Sequence, residues 1–339
     1  VNKTLVITDL HLGIYQDINL IEHQFNTIRR IIEEENPSIV IDCGDTFHYR
    51  NPRVSTLLSA KKFFDSFEDI KFIVLRGNHT TISKSGSLDT TLDLVFTKPN
   101  MKVIKECKEQ DGIWFLPHYE DISIVENWVK DRKYDPLISF GHFAYKGERI
   151  HPDAYVGDCI DPELFWNMKN SHLFLGHIHH PSDVKNIHCI GTQYSISFGE
   201  ANENKRYLII DGDNEVKFKP VKHGIKHIKG SLDEVKDLIE KNKGFKLLVR
   251  VNINSLDSIY QQDIKEAITD NEDVLLCDIR VIEQASTPKK NSLDHDICSI
   301  TEDVIDEYIE KNPDEVLSDK DLKEAYESII DEVNKNTNT

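Results

Sequence analysis

Through about the first 215 residues, short unbroken apolar runs alternate with stretches in which apolar positions recur every three or four residues. Thr4–Thr8 is the first run and predicts a buried strand. From Asn19 to Glu34, Leu20, Ile21, Phe25, Ile28, Ile31 and Ile32 fall at helical spacing. A second strand is predicted over Ser38–Ile41, then a helix carrying Leu57, Leu58, Phe63 and Phe64, then a third strand over Ile73–Leu75. That βαβαβ order implies a sheet flanked by helices. Further strands are expected at Ile113–Leu116, Leu137–Phe140, Leu173–Leu175, Ile187–Ile190 and Tyr207–Ile210.

The pattern changes at the turn Asp211–Asn214. Beyond it the chain reads strand (Val216–Ile228), helix, strand (Phe245–Val251), helix, strand (Val274–Ile282), the first helix opening on the capping box Ser231/Glu234. A polar segment and two amphipathic helices follow. The expected domains are therefore 1–215, 216–285, a linker at 286–298, and a helical tail at 299–335, where Leu322, Tyr326, Ile329, Ile330 and Val333 form one stripe.

At 339 residues, with 39% hydrophobic and 29% charged positions, the chain can bury a substantial core and is neither disordered nor fibrous. No apolar run approaches the roughly 20 residues that cross a bilayer, and the amino end has no signal-peptide pattern. Six cysteines without a C-x-x-C pair predict reduced thiols in a cytoplasmic protein. The net charge of −18 is uneven. Residues 291–339 hold fifteen Asp and Glu against four Lys, leaving the preceding 290 residues at −7. This excludes a generic basic DNA-coating protein but not a polyanionic substrate, because cations bound by carboxylates offset local charge.

The strand ends change the picture most. Five of them run into metal-ligand residues: Asp9 and His11; Asp45 after Gly44; Asn78 and His79 after Gly77; His142 after Gly141; His177 and His179 after Gly176. In an α/β sheet, ligands bind beyond the carboxyl ends of the strands, so the fold would gather these residues at one edge. Each pair taken alone is a common turn or chance match; the ordered conjunction is not. Seven ligand positions (Asp9, His11, Asp45, Asn78, His142, His177 and His179), three of them oxygen donors, exceed a single four-coordinate zinc. They suit two divalent cations sharing a carboxylate, with Mn²⁺, Fe²⁺ or Zn²⁺ matching the mixed N/O set. Such a pair, about 3.5–4 Å apart, stabilises both oxygens of a phosphoryl displacement.

The order Asp9-x-His11, Gly44-Asp45, Gly77-Asn78-His79, Gly141-His142, Gly176-His177-x-His179 resembles the calcineurin-like metallophosphoesterases. Within them, His48 and the segment Ser197–Glu200 resemble the SbcD-type double-strand-break-repair nucleases, and the length is similar to that of their phage recombination members. The resemblance implies an α/β sandwich of two β-sheets flanked by helices, with a small α+β capping, DNA-binding domain and the helical tail. It implies one ion on Asp9, His11, Asp45 and His179, and another on Asp45, Asn78, His142 and His177. His79 would be the catalytic histidine at the leaving oxygen, and His48 would position the phosphate or the DNA. It further implies two Mn²⁺ (Mg²⁺ also possible), 3′-to-5′ exonuclease action on duplex ends and endonuclease action on single strands. The implied partners are DNA, a second copy forming a homodimer through amino-terminal helices, and an SbcC-type coiled-coil ATPase bound by the tail; no membrane is implied.

The sequence departs from the family at Thr80, where Asp is usual after Gly-Asn-His, and at Thr192–Gln193, where the family carries Ser-Pro. A phosphoprotein phosphatase or cyclic-nucleotide phosphodiesterase on the same fold is the enzymatic rival, and a DNA-end scaffold with a vestigial site the non-enzymatic one. His223 and His227 are expected to be solvated. His118, His151, His172, His180 and His188 are expected to be structural.

Overall fold

The computed structural model describes residues 3–282 apart from 16, 81–87, 148, 152–153, 156–158, 213 and 255–259. In chain order the strands are β1 (Thr4–Ile7), β2 (Ile39–Asp42), β3 (Lys71–Leu75), β4 (Met101–Ile104), β5 (Lys108–Gln110), β6 (Ile113–Leu116), β7 (Ile138–His142), β8 (Arg149–His151), β9 (Ala154–Tyr155), β10 (His172–Gly176), β11 (Ser182–Val184), β12 (Ile187–Cys189), β13 (Arg206–Ile210), β14 (Val216–Pro220), β15 (Gly224–Gly230), β16 (Phe245–Asn254) and β17 (Val274–Ile282). The helices are α1 (Ile18–Glu35), α2 (Val54–Asp65), α3 (Ser123–Lys130), α4 (Glu163–Trp166), α5 (Leu232–Lys241) and α6 (Gln261–Thr269).

Two six-stranded sheets face each other, ordered β14-β13-β1-β2-β3-β4 and β11-β12-β10-β7-β6-β5. Strands β1–β4 of the first and β12, β10, β7 and β6 of the second are parallel. The runs Leu5–Ile7, Phe72–Leu75, Ile113–Leu116 and Leu173–Leu175 are unbroken because these strands are covered on both faces. Val6 on β1 joins Ile41, Phe115, Phe140, Phe174 and Leu208 between the sheets. Leu5 and Ile7 point the other way, into the core under α1 and α2 with Phe25, Ile28, Phe63 and Phe64. Likewise Phe174 faces the sandwich, while Leu173 and Leu175 face the side chains of α3 and α4, Val125 and Phe165 among them. The period of two along each strand thus supplies two cores at once.

The first helix runs one residue further at each end than its apolar spacing predicts. It is capped by Asp17, which accepts from the Asn19 amide at 2.7 Å, and it stops at Asn36 in the left-handed region, whose N–H bonds Ile32 O. The single strand predicted over Val216–Ile228 is two strands. β14 pairs antiparallel with β13 as the edge of the first sheet, and the chain leaves at Pro220, which cannot donate to a ladder. β15 then begins at Gly224 (φ 110°) in a three-stranded parallel sheet, β15-β16-β17, with α5 and α6. The turn at Asp211–Asn214 therefore joins two strands of one sheet. Ile225 and Leu248 of the small sheet also enter the core beneath α1. That packing buries His223 and His227, at 7% and 3% exposure, so the expectation that both are solvated is corrected.

The described residues belong to one compact unit. The linker at 286–298 and the tail at 299–335 lie outside the described residues. Among the described residues no helix is long and apolar enough to cross a membrane.

Glu35, at the end of α1, fastens the helix to the first sheet. Its buried carboxylate accepts from Tyr207 Oη at 2.7 Å and from Lys219 Nζ at 2.8 Å. Burial pushes this carboxyl up, but the bonds from Lys219 and Tyr207 prevail and hold it below its ordinary value. A lowered carboxyl stabilises the fold above its unfolded pKa, and that contribution fades as the pH falls through the folded value. Glu35→Gln should therefore cost about 1–2 kcal/mol at neutral pH, with solvent around Lys219 limiting the loss. Urea melts at falling pH should show the wild type and variant converging.

Candidate metal centre

Each candidate ligand sits just past, or at, the carboxyl end of a parallel strand: Asp9 and His11 after β1, Asp45 after β2, Asn78 after β3, His142 at the end of β7, His177 and His179 after β10. The chain reverses sharply there. Asp9 (φ 52°), His11 (φ 42°), Asp45 (φ 53°) and His177 (φ 82°) all adopt the left-handed region. Such backbone costs on the order of 1–3 kcal/mol per residue and persists only where the surroundings enforce it. Here Asp9 N donates to Gly44 O and His11 N to Asp45 O, both at 2.9 Å. Gln24 from α1 donates to Leu10 O, as does Tyr194 Oη. The glycines before the ligands are steric requirements. A Cβ on Gly77 would strike the Asp45 carboxylate, and one on Gly44 (φ 114°) would strike the His142 ring.

The side chains gather into clusters whose ligand atoms lie within 4.8 Å of one another: Asp9, His11 and His179; Asp45, His142 and His177; His11, His48 and His79. In the first, His11 Nε2 and His179 Nε2 are 3.0 Å apart. In the second, Asn78 Oδ1 lies 3.1 Å from both His142 Nε2 and His177 Nδ1, and Asp45 Oδ2 lies 3.3 Å from His142 Nε2. All seven predicted ligands thus stand in these two adjoining groups, Asn78 beside the second.

Asp9 and Asp45 are 0% and 2% exposed, and among the described residues neither is paired with Lys or Arg. Buried carboxylates of that kind are matched by a cation or by a protonated neighbour. Burial raises the Asp9 carboxyl. It also opposes ionisation of Asp45, but His142 overrides it and, with His11 and His79, holds Asp45 far below the carboxylate range. His142 goes the other way: burial pulls it down, but the Asp45 carboxylate lifts it to about 9. Burial, with His142 nearby, pushes His177 down to about 4, a ring with a free lone pair at neutral pH. Two buried carboxylates, an amide oxygen and four imidazoles fit a pair of divalent cations.

The surrounding residues decide which nitrogen each imidazole presents. His142 Nδ1 donates to Cys43 O at 2.8 Å, bridging the two sheets and leaving Nε2 for the centre. His179 Nδ1 lies 3.1 Å from Glu200 Oε1, so its Nε2 turns inward. Glu200 is itself held by Lys205 Nζ at 2.7 Å and Thr192 Oγ1 at 3.2 Å. Burial opposes its ionisation, yet His179 and Lys205 bring it down to about 2. His48 Nδ1 is 3.2 Å from His11 Nδ1, and His48 O receives the Nδ1–H of His79. His79 keeps a side chain 37% exposed, with Nε2 4.0 Å from Asp45 Oδ2.

Residues given no role in the site from the sequence do much of this work. Glu200 carried a signal only as the end of a family-like segment. Asp42 shapes the Gly44-Asp45 turn, accepting from Thr46 Oγ1 and Gly44 N, and its burial lifts it to about 7. Gln193 Oε1 accepts from Thr8 N at 3.0 Å, tying the last loop to the first strand. Thr80 bonds both N–H and C=O of Gly77, closing the Gly-Asn-His turn from within. His172 and His188 pair with each other at 3.0 Å away from the clusters, His188 bonded to Asp183.

Residues 3–181 match the calcineurin-like phosphoesterase family, and the chain belongs to that family of metal-dependent phosphoester hydrolases. Among curated proteins it is similar to exonuclease subunit 1 of Enterobacteria phage T4, 24% identical over 241 residues. That match takes in 63% of this chain and 66% of the phage protein, just under two thirds of its length. Similar solved structures include the nuclease MPE of Pseudomonas putida (14% identity, TM-score 0.33, 64% of this chain and 87% of that one) and the phosphoesterase Yfce of E. coli (13% identity, TM-score 0.31, 65% and 99%).

Glu200→Gln keeps the shape but removes the charge that fixes His179. It should weaken divalent-cation binding by roughly 10–100-fold, the usual effect of removing a carboxylate behind a metal-bound histidine. Calorimetric titration of metal-stripped protein measures it.

Proposed function

We propose that this chain is the nuclease subunit of an ATP-driven DNA end-processing complex, hydrolysing DNA phosphodiesters at two divalent cations, Mn²⁺ foremost. Asp9, His11, Asp45 and His179 would hold one cation, and Asp45, Asn78, His142 and His177 the other. The observation that carries the reading is the meeting of two buried carboxylate–imidazole clusters beside an accessible, oriented His79. The cations, when bound, lower the pKa of water and neutralise charge on the attacking and departing oxygens.

The remaining work belongs to the chain. His79 Nδ1–H is committed to His48 O, so Nε2 of the doubly protonated ring is the atom that would hand a proton to the departing 3′ oxygen, leaving the neutral imidazole. His48 orients His11 through their facing Nδ1 atoms and fixes His79 through its carbonyl. Supporting DNA as the substrate are the likeness to a phage exonuclease subunit and the added small sheet with α5 and α6. The tail at 299–335 is assigned to an SbcC-type coiled-coil ATPase. α1 spends its apolar face on its own core, whereas α2 leaves Val54 and Leu58 71% and 63% exposed. That α2 surface is assigned to a homodimer.

Incubation with Mn²⁺ and end-labelled duplex, single-stranded DNA and a chromogenic phosphodiester tests the substrate. DNA shortening is expected; ester cleavage with intact DNA would favour a phosphatase-type enzyme instead. His79→Ala should lower DNA cleavage by about 10²–10⁴-fold with Mn²⁺ content unchanged. Asp45→Asn should weaken both cations together, read as a loss in Mn²⁺ stoichiometry.

A further inference from the structure

A sixth strand end reaches the same rim. β6 lies beside β7 in the second sheet, parallel to it, and its carboxyl end runs through Pro117 into His118. The backbone of His118 is clamped: its N–H donates to Arg76 O at 2.9 Å, and Arg76 Nε donates back to His118 O at 3.1 Å. Arg76 immediately precedes Gly77-Asn78-His79 and lies over the Tyr119 ring, 4.7 Å from its centroid. One arginine therefore locks the His118 loop to the loop bearing Asn78 and His79.

The side chain held this way stands beside the second cluster. Its ring is 6.2 Å from that of His142, edge-on, and 6.4 Å from that of His177, stacked. Both ring nitrogens are buried, and among the described residues neither has a hydrogen-bond partner. A buried donor or acceptor left unmade costs about 1–3 kcal/mol, so such a group calls for a partner, water or ligand, from outside the chain. His118 does not fall in any of the convergent ligand groups. Its ring stands behind those of His142 and His177, at the edge of the second group.

We propose that His118 is a substrate-binding residue that donates an imidazole N–H to a non-bridging phosphoryl oxygen at the Asp45–Asn78–His142–His177 cluster. This rests on the phosphoesterase reading above and adds a contact to the phosphate itself. A neutral imidazole carries one N–H and one lone pair, so a single phosphoryl oxygen satisfies the donor and a water the other nitrogen.

The test is calorimetric titration of inorganic phosphate into the Mn²⁺-loaded full chain, for the wild type, His118→Ala, His118→Phe and His118→Gln. Loss of one such bond should weaken phosphate about tenfold in the Ala and Phe variants, with partial recovery in Gln, whose amide still donates. Mn²⁺ affinity should stay within about twofold, since no metal ligand is lost. His118→Phe keeps the ring without its unmade bonds, so its melting temperature should equal or exceed that of the wild type. Equal phosphate affinity in all four proteins would overturn the assignment alone. So would a fall in Mn²⁺ affinity matching that of His142→Ala, which would make His118 a metal ligand, or a melting temperature lowered in the Phe variant with phosphate binding intact. A wild type that binds Mn²⁺ but no phosphate would overturn the phosphoesterase reading, and His118's role with it.

Discussion

The centre depends on keeping two carboxylates, Asp9 and Asp45, out of water in a crevice where, among the described residues, no lysine or arginine pairs with them. Neither would stay ionised there unaided, because desolvation disfavours the charged form. The chain answers with a ring of imidazoles: the Asp45 carboxylate lifts His142, and burial drives His11 and His177 towards the neutral, lone-pair form. That is an electrostatic arrangement suited to receiving positive charge. The rest of the structure holds it in place.

Holding it requires both sheets. Asp9, His11, Asp45 and Asn78 come from the ends of β1, β2 and β3, whereas His142, His177 and His179 come from β7 and β10. The two sets meet only because Phe115, Phe140 and Phe174 pack against Val6, Ile41 and Leu208 at one fixed spacing. The bond from His142 Nδ1 to Cys43 O locks the join at the upper edge. Left-handed backbone at four candidate ligands is the cost of turning so sharply at a strand end, offset by the amide bonds that cross between the first two loops. The support reaches past the ligands. Glu200 sits in a short turn whose Phe198 ring lies against His227 and under Arg250, so the small sheet touches the segment that orients His179.

Much of the site could be read from the order of residues, for a definite reason. A parallel strand buried on both faces announces itself as an apolar run, and the first polar residues beyond it must lie at its carboxyl end. Asp9, Asp45, Asn78, His142 and His177 were therefore visible as a set. His118 was not, because Leu116-Pro117-His118 has no glycine or paired ligand to mark the strand end. Glu200 was not either. Its value lies in touching His179, twenty-one positions earlier in the chain, and nothing local distinguishes such a glutamate from a solvated one.

The same division holds for the fold. Hydropathy by itself determined the alternation of strands and helices and hence a sheet flanked by helices, because burial on a regular element imposes a period on the sequence. The Asp, Asn and His residues at the strand ends marked the seven candidate ligand positions, and the two-sheet sandwich followed from the family resemblance. Where two elements meet leaves no such period. Only the tertiary structure decided that Val216–Pro220 closes the first sheet while Gly224–Gly230 opens another. It alone decided that His223 and His227 are buried, and which nitrogen of each histidine faces inward. Those properties belong to contacts between distant segments, and a contact exists only once both partners have been placed.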